Sequence, residues 1–295
     1  MPIESPQHRP PHDMDCPLLA IVTGCSHGKC HFCDIFAGIP FAPIPEDQVI
    51  ADIQDIAKTA TALTRRIYLT GGNPFALPTH RLVKVFDAVE RHIPTVKGYG
   101  GFCRIVDVAA KSDEELALLR SRGVDEITIG AESGFDEALG FMEKGHSAAD
   151  IIQQGRRLHE AGIRFTFFYL AGMAGAGKGQ ENALASARVF SEAGPSRILV
   201  VTLTPTQQWP LAQDIAEGRW VPPTEVETAR EIQTFVANLT CTTQVNCSHD
   251  TDIVRFEGMI PQNQAALVEL MEHRIPLMNE KASRKMREAL HKATF

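Results

Sequence analysis

Short apolar runs alternate with amphipathic stretches between residues 18 and 204, and this alternation limits the possible folds more than any other feature. The runs predict six strands, at Leu18–Thr23, Arg66–Thr70, Val96–Gly101, Glu126–Gly130, Arg164–Ala171 and Arg197–Thr204. The stretches predict helices at Glu46–Leu63, Thr79–His92, Asp113–Arg122, Ala148–Ala161 and Gln180–Ala193. Regular alternation favours parallel strands joined by right-handed crossovers. Six units are too few for a closed eightfold barrel, so we expect an α/β fold with a partial (β/α)6 barrel.

The alternation also divides the chain into three predicted parts. Residues 1–17 are polar and rich in Pro and His, and are expected to form an N-terminal arm. Residues 18–205 form the predicted core. Four prolines then interrupt the rhythm, and residues 206–295 are expected to form a mainly helical extension, with its clearest helices at Thr224–Asn238 and Pro261–His273.

Composition restricts the partners and the cellular compartment that are expected for the protein. The net charge of −7 argues against non-specific binding to nucleic acid, which needs a basic face. The basic segment Arg284–Arg287 fits a solvated helix face better. Seven cysteines, three of them in one loop, do not suit a secreted disulfide framework, and we find neither a signal peptide nor a membrane span. We therefore expect a cytoplasmic protein in a reducing environment.

Three cysteines lie within nine residues, directly after the first predicted strand. Cys25, Cys30 and Cys33 have the spacing C-x4-C-x2-C. Thiolates suit iron–sulfur clusters, and three of them can hold three irons of a [4Fe–4S] cube and leave the fourth iron open for another ligand. A zinc-binding interaction protein with His27 or His31 as a fourth ligand is the alternative, although no second C-x2-C pair is present to complete such a site.

This loop resembles that of the radical SAM superfamily, with one residue more than the commonest C-x3-C-x2-C spacing. The resemblance implies a [4Fe–4S] cluster on Cys25, Cys30 and Cys33, with S-adenosylmethionine bound to the fourth iron. It also implies reductive cleavage of S-adenosylmethionine to a 5′-deoxyadenosyl radical, and Phe32 near the adenine. An electron donor such as flavodoxin or ferredoxin is then expected, together with an unknown, small-molecule substrate. Such a protein is expected to be sensitive to oxygen.

Two further motifs extend the resemblance. Gly71, Gly72 and Asn73 close the second strand, where the family places a glycine-rich segment for the methionine end of the cofactor. Glu132 ends the fourth strand in a motif resembling the branch that includes oxygen-independent coproporphyrinogen oxidases, which implies a cofactor contact at Glu132 and a carboxylate contact at Lys144. The match covers about residues 18–205.

The substrate side of the site is less defined. The weak candidates for catalytic residues are Cys103, Tyr169 and Cys247. A buried core thiol is the better interpretation of both cysteines, and Tyr169 can line the pocket or simply pack in the core. No cobalamin-binding region precedes the predicted barrel, and this disfavours a cobalamin-dependent methyltransferase.

One motif indicates a different function. Gly172–Gly179 reads G-x4-G-K after a strand and before a helix, as in a phosphate-binding P-loop. A P-loop needs a Ser or Thr after the lysine, and Gly179 stands there instead. The segment is better interpreted as a mobile glycine-rich lid, and a nucleotide hydrolase is the weakest of the three hypotheses.

Overall fold

The computed structural model describes residues 9–206 and 208–294, without the side chains of residues 288 and 291–294. Parts of the predicted arm and extension, namely residues 1–8, residue 207 and residue 295, lie outside the described residues. No helix in the described part of the chain is long and apolar enough to span a membrane.

All six predicted strands are present. The strands are β1 Leu18–Ala20, β2 Val22–Thr23, β3 Ala42–Pro43, β4 Arg66–Thr70, β5 Gly98–Cys103, β6 Glu126–Glu132, β7 Arg164–Ala171, β8 Arg197–Thr202, β9 Thr243–Cys247 and β10 Phe256–Ile260. The helices are α1 Glu46–Thr59, α2 Thr79–His92, α3 Ile105–Ala109, α4 Asp113–Ser121, α5 Asp136–Phe141, α6 Ala148–Glu160, α7 Gly179–Ala193, α8 Leu211–Ala216, α9 Glu225–Asn238, α10 Gln264–Arg274 and α11 Glu280–Thr294. The five helices predicted between the strands agree with α1, α2, α4, α6 and α7.

The chain forms two compact units. The first unit consists of residues up to 28, 34–130 and 157–165. Its strands β1, β4, β5 and β6 pair in that order and are all parallel. The ring of Phe86 on α2 stacks on that of Tyr99 on β5 at 4.2 Å between centroids, and both side chains are buried. Apolar burial of this kind is the main stabilising term of such a layer.

The second unit consists of residues 29–33, 131–156 and 166–295. Here β7 pairs with β8 and β8 with β9, both in parallel, and β10 pairs with β9 in the antiparallel direction. The predicted extension is mainly helical, but the prediction omitted the strands β9 and β10. Both strands are only five residues long, and polar residues or glycine interrupt their apolar residues, so no apolar run indicated them.

In the basic segment near the C-terminus, residues 284–286 are exposed, as the predicted solvated helix face requires, and Arg287 is the exception. Arg287 on α11 is not on a solvated face, because only 12% of its side chain is exposed. Its guanidinium forms a two-pronged ion pair with the buried carboxylate of Glu225, at 2.6 and 3.0 Å. Arginine matches a carboxylate in this geometry, and the contact attaches α11 to α9.

Candidate active site

The first half of the cysteine loop lies in the first unit and packs directly on the predicted glycine segment. The amide of Gly72 donates to the carbonyl of Gly24 at 2.8 Å. A Cβ at Gly72 would come within 2.6 Å of the Cα of Cys25. Gly71 has φ +110°, and a Cβ there would meet Val22 at 2.4 Å. Only glycine allows both the backbone conformation and the close approach, so these two residues position Cys25.

Asn73 fixes the same half of the loop through its side chain. Its amide oxygen accepts from the backbone N–H of Ser26 at 2.9 Å, and its amide nitrogen donates to the Ser26 hydroxyl at 2.7 Å. The same nitrogen donates to the buried carboxylate of Asp107 at 2.8 Å. Asn73 is fully buried, so its amide is committed to protein partners. A cofactor contact at Gly71, Gly72 and Asn73 stays a prediction; what the structure gives is a scaffold for Cys25 and Ser26.

The second half of the loop, residues 29–33, lies in the second unit. The amide of Cys33 donates to the carbonyl of Cys30 at 3.2 Å and closes a turn. The backbone of His31 bonds to that of Met142, which follows α5, and to that of Leu211, the first residue of α8. Two segments distant in sequence therefore hold the stretch that carries Cys30, Phe32 and Cys33.

Three of the predicted site residues come together in the second unit. The Nζ atom of Lys144 lies 3.3 Å from Oε1 of Glu132 and 5.5 Å from the centroid of the Phe32 ring. Only 6% of the Lys144 side chain and 13% of the Glu132 side chain are exposed. A solvated surface lysine at position 144 is thereby excluded. Phe32 is partly buried, and its ring is within the range of a cation–π contact with the ammonium group.

Glu132 is strained as well as buried. Its φ is +66°, in the left-handed region that a glutamate rarely adopts. Such strain costs about 1–3 kcal/mol and concentrates at functional sites. Burial raises the pKa of the Glu132 carboxyl, and the ammonium of Lys144 opposes that rise. The pair thus presents a desolvated carboxylate and ammonium that a polar ligand can contact.

The donor chemistry of the loop fits an iron–sulfur cluster. Cys25, Cys30 and Cys33 are thiols of intermediate exposure, not disulfide-bonded and not buried in the core. Soft sulfur ligands of this kind are the ones that such clusters use. Within residues 9–206 and 208–294, no three His, Cys, Asp or Glu side chains are already grouped as a metal site.

The three weak substrate-side candidates are all buried and all have partners. Cys103 ends β5, and its thiol donates to the carbonyl of Arg104 at 3.4 Å. Cys247 ends β9, and its thiol donates to the carbonyl of Val254 at 3.0 Å. Burial raises the pKa of both thiols well above the usual value. The Tyr169 hydroxyl donates to the Glu231 carboxylate at 2.7 Å.

Sequence reasoning missed Glu231, which is the centre of a buried polar network in the second unit. Besides the Tyr169 hydroxyl, its carboxylate accepts from the amide nitrogen of Asn182 at 2.7 Å and the backbone N–H of Gly172 at 3.1 Å. Burial raises the pKa of Glu231 to about 7. Glu231 lies in an ordinary amphipathic helix, 59 residues from Gly172, so no local sequence pattern could identify it.

The glycine-rich segment 172–179 is attached to its surroundings and does not have the features of an open lid. Besides the Gly172 amide on Glu231, the indole N–H of Trp220 donates to the carbonyl of Met173 at 3.2 Å. The amide of Ala176 donates to the carbonyl of Val221 at 2.9 Å. Lys178 forms an ion pair with Glu137. The expected mobile lid and the P-loop interpretation both lose support here.

The sequence comparison assigns the class of protein. Residues 19–177 match the family described as the radical SAM superfamily. The match covers more than half of the chain, and the chain belongs to this superfamily. It is accordingly a radical SAM enzyme, with a [4Fe–4S] cluster and S-adenosylmethionine as cofactors.

Two curated relatives are similar in sequence. The chain is 26% identical over 144 residues to the heme chaperone HemW of Bacillus subtilis (strain 168), covering 47% of this chain and 38% of that one. It is 25% identical over 140 residues to the heme chaperone HemW of Lactococcus lactis subsp. lactis (strain IL1403), covering 47% of this chain and 36% of the relative. The chain thus spans less than two fifths of the length of these relatives.

Solved structures show the same fold. Coproporphyrinogen III oxidase (HemN) from Escherichia coli, a radical SAM enzyme, matches with a TM-score of 0.55 at 15% identity, covering 75% of this chain and 52% of that one. Methylornithine synthase (PylB) matches with a TM-score of 0.53 at 18% identity, covering 76% and 63%. These matches confirm the predicted fold class, an α/β fold of the partial-barrel radical SAM type.

Proposed function

We propose that this enzyme reductively cleaves S-adenosylmethionine and directs the resulting radical at a small-molecule substrate. Cys25, Cys30 and Cys33 would hold the cluster. When bound, the cluster would supply the electron for this cleavage, whose products would be methionine and a 5′-deoxyadenosyl radical. The observation that carries the proposal is the desolvated Glu132–Lys144 pair beside Phe32, because family resemblance and burial single out the same three side chains.

The chain's own residues have defined tasks in this proposal. Lys144 would neutralise the carboxylate of S-adenosylmethionine, and Glu132 would accept from its amino group or ribose hydroxyls. Phe32 would lie near the adenine. Gly71, Gly72 and Asn73 would orient Cys25 through their packing on the loop, and a contact of this segment with the methionine end is part of the proposal. A buried, low-dielectric surrounding strengthens each of these contacts and keeps water from the radical.

The setting of the proposal follows from the same chemistry. We place the enzyme in a reducing cytoplasm, because three thiols in one loop must stay reduced to bind iron. An electron donor such as flavodoxin or ferredoxin would reduce the cluster. Exposure to oxygen is expected to inactivate the enzyme.

Anaerobic reconstitution tests this function. The wild-type protein should bind about four irons per chain and release 5′-deoxyadenosine when dithionite and S-adenosylmethionine are added. Cys30→Ala should lose most of the iron and at least 100-fold of that activity. Cys16→Ala, a cysteine change outside the loop and outside the family match, should keep both. A colourless protein with stoichiometric zinc would contradict the proposal.

A second candidate function is heme handling, favoured by the sequence similarity to the two HemW proteins. The discriminating measurement is an anaerobic titration with heme, followed by its absorption band. Stoichiometric, saturable heme binding without production of 5′-deoxyadenosine would favour a chaperone-like role. Cleavage of S-adenosylmethionine without heme binding would favour the enzymatic role.

A further inference from the structure

We propose that Asp214, which lies beyond the family match, is a positioning residue for the half of the cysteine loop that carries Cys30 and Cys33. The part of this inference that concerns iron rests on the proposed function. The structural part concerns the protein without iron. Asp214 lies on α8, in a segment whose sequence resembles no part of the family motif.

The contact is direct and involves both backbone and side chain. Oδ2 of Asp214 lies 2.8 Å from Nδ1 of His31, the residue between Cys30 and Phe32. The backbone N–H of Leu211, at the start of the same helix, donates to the carbonyl of His31 at 2.9 Å. One side-chain contact and one main-chain contact therefore join α8 to His31. Together they fix the position and the orientation of this residue.

Asp214 is itself held in place. Only 5% of its side chain is exposed. The Nε atom of Arg219 donates to its other oxygen, Oδ1, at 2.8 Å. The backbone amides of Arg219 and Trp220 both donate to the Asp214 carbonyl, at 2.9 and 3.3 Å. Arg219 holds the carboxylate and the two amides hold the main chain of Asp214, so the carboxylate is a rigid support for the imidazole.

The two halves of the loop thus have separate supports. The first half, with Cys25 and Ser26, is tied to Asn73 in the first unit. The second half, with Cys30 and Cys33, is tied to α8 in the second unit. Loss of one support should release the cysteines of its own half and leave the other half in place. The cysteines of the other half therefore serve as an internal control, because a general loss of stability would release both halves.

Groups that orient metal ligands influence the metal although they do not touch it. Removing such a group lowers metal affinity by about 10–100-fold. Hydrogen bonds near the sulfurs also set the reduction potential of the cluster. His31 is adjacent to Cys30 and two residues from Cys33, so a change in its position would shift the backbone that carries both sulfurs. Asp214 would act on the cluster through this residue.

The deciding experiment measures thiol alkylation in the iron-free, reduced protein, resolved by peptide mass spectrometry. Asp214→Ala should raise the alkylation rates of Cys30 and Cys33 by about tenfold, which corresponds to 1.4 kcal/mol of lost restraint. The rate at Cys25 should stay within twofold, and the buried Cys247 should remain protected. Asp214→Asn, whose amide oxygen can still accept from His31, should restore most of the protection.

A matched control separates positioning from simple destabilisation. Asp252 is another buried aspartate of the second unit, and it bonds to the backbone amides of Thr202 and His249 instead of to the loop. Asp252→Ala should leave the rates at Cys30 and Cys33 unchanged. Equal acceleration in both variants, acceleration at Cys25 and Cys247 as well, or no acceleration in Asp214→Ala would each overturn the inference.

A second readout follows the reconstituted cluster. In Asp214→Ala, iron should pass to a chelator at least tenfold faster than in the wild type, and the electron paramagnetic resonance signal of the reduced cluster should change shape. Unchanged iron release together with an unchanged signal would overturn the cluster part of the inference. If the wild-type protein binds no iron, the proposed function fails, and the alkylation rates still decide the role of Asp214.

Discussion

At the scale of single residues, the important finding is that Glu132 and Lys144 contact each other. The family resemblance implied two separate cofactor contacts twelve residues apart. In the structure they form one nearly buried ion pair, at 3.3 Å. Two charges out of water are costly unless each compensates the other. Each charge therefore stabilises the other, and both are available to a charged ligand. A substitution at one residue must change the electrostatic surroundings of the other.

Removing the charge of Lys144 alone should destabilise the protein more than removing the charges of Lys144 and Glu132 together. In Lys144→Met the Glu132 carboxylate loses its counter-charge in a buried place, and the free energy of unfolding should fall by about 3–5 kcal/mol. The double variant Lys144→Met/Glu132→Gln should recover at least half of that loss. Urea unfolding of the iron-free proteins at pH 7.5 measures both.

The pH dependence distinguishes this explanation from a simple packing defect. Burial already raises the Glu132 pKa, and loss of the neighbouring ammonium raises it further. Since the folded carboxyl then binds its proton more tightly than the unfolded one, Lys144→Met should regain stability as the pH falls. A deficit that stays constant between pH 8 and pH 5 would contradict the proposed pairing.

At the scale of secondary-structure elements, the Glu231 carboxylate connects three elements of the second unit, namely α9, β7 and α7. It lies on α9, and its partners are Tyr169 at the end of β7, Gly172 just after it, and Asn182 on α7. Oδ1 of Asn182 in turn accepts from the hydroxyl of Ser133 at 2.5 Å, directly after the strained Glu132. One buried carboxyl thus stabilises the turn that gives Glu132 its position.

Glu231 should make the stability of the protein decrease as pH rises from 5 to 8. Its folded pKa of about 7 lies above the ordinary 4.5, so the folded state holds a proton that the unfolded state has released. Stability from this group is therefore complete below pH 4.5 and is lost as the pH rises towards and through 7. Relative to Glu231→Gln, the wild type should lose roughly 2.5 kcal/mol between pH 5 and pH 8.

Denaturant unfolding at several pH values tests this expectation, with Asp252→Asn as the matched variant. Burial raises the pKa of Asp252 to about 7 as well, so the wild-type profile contains both contributions. Each single variant should remove only the part of the pH dependence of the unfolding free energy that its own carboxyl group contributes. Parallel pH profiles for the wild type and Glu231→Gln would show that Glu231 is already ionised in the folded protein at pH 5.

The elements that were predictable from sequence are those with local causes. The Ser112–Glu115 capping box at the start of α4 is present with both of its hydrogen bonds. The glycines at 123 and 162 adopt the positive φ expected after a helix. Apolar periodicity identified the six strands and the helices between them. The paired positions 132 and 144 came from family resemblance, and physical reasoning from one sequence could not have joined them.

The unpredicted elements depend on contacts distant in sequence. The strands β9 and β10 have no apolar run of their own, and pairing with β8 and with each other defines them. The contact of Asp214 with His31 joins residues 183 positions apart. Glu231 and Arg287 look like solvated helix residues, yet Glu231 is buried and only 12% of the Arg287 side chain is exposed, through partners that no spacing rule identifies. Tertiary context overrides local pattern at these positions.

At the scale of the whole molecule, the family match ends at residue 177, but the compact second unit does not end there. Strand β8 and helices α8 to α11 lie beyond the match and belong to the same compact unit as most of β7. The ring of Phe235 on α9 stacks on that of Tyr169 on β7 at 4.0 Å between centroids, nearly parallel. It also meets the edge of Phe190 on α7 at 5.8 Å. The extension is thus structurally part of the second unit, together with most of β7.

Phe235→Ala should therefore weaken the family-matched strand and the extension together. Loss of a fully buried phenylalanine leaves a cavity and lowers the free energy of unfolding by about 3–5 kcal/mol. Hydrogen exchange should show the slowest amides of β7 and of α9 losing protection by the same factor, because both share the core. Leu184→Ala on the same unit, with half of its side chain exposed, should change both by less than 0.5 kcal/mol. Faster exchange in α9 alone would show that the extension folds independently and would contradict a shared core.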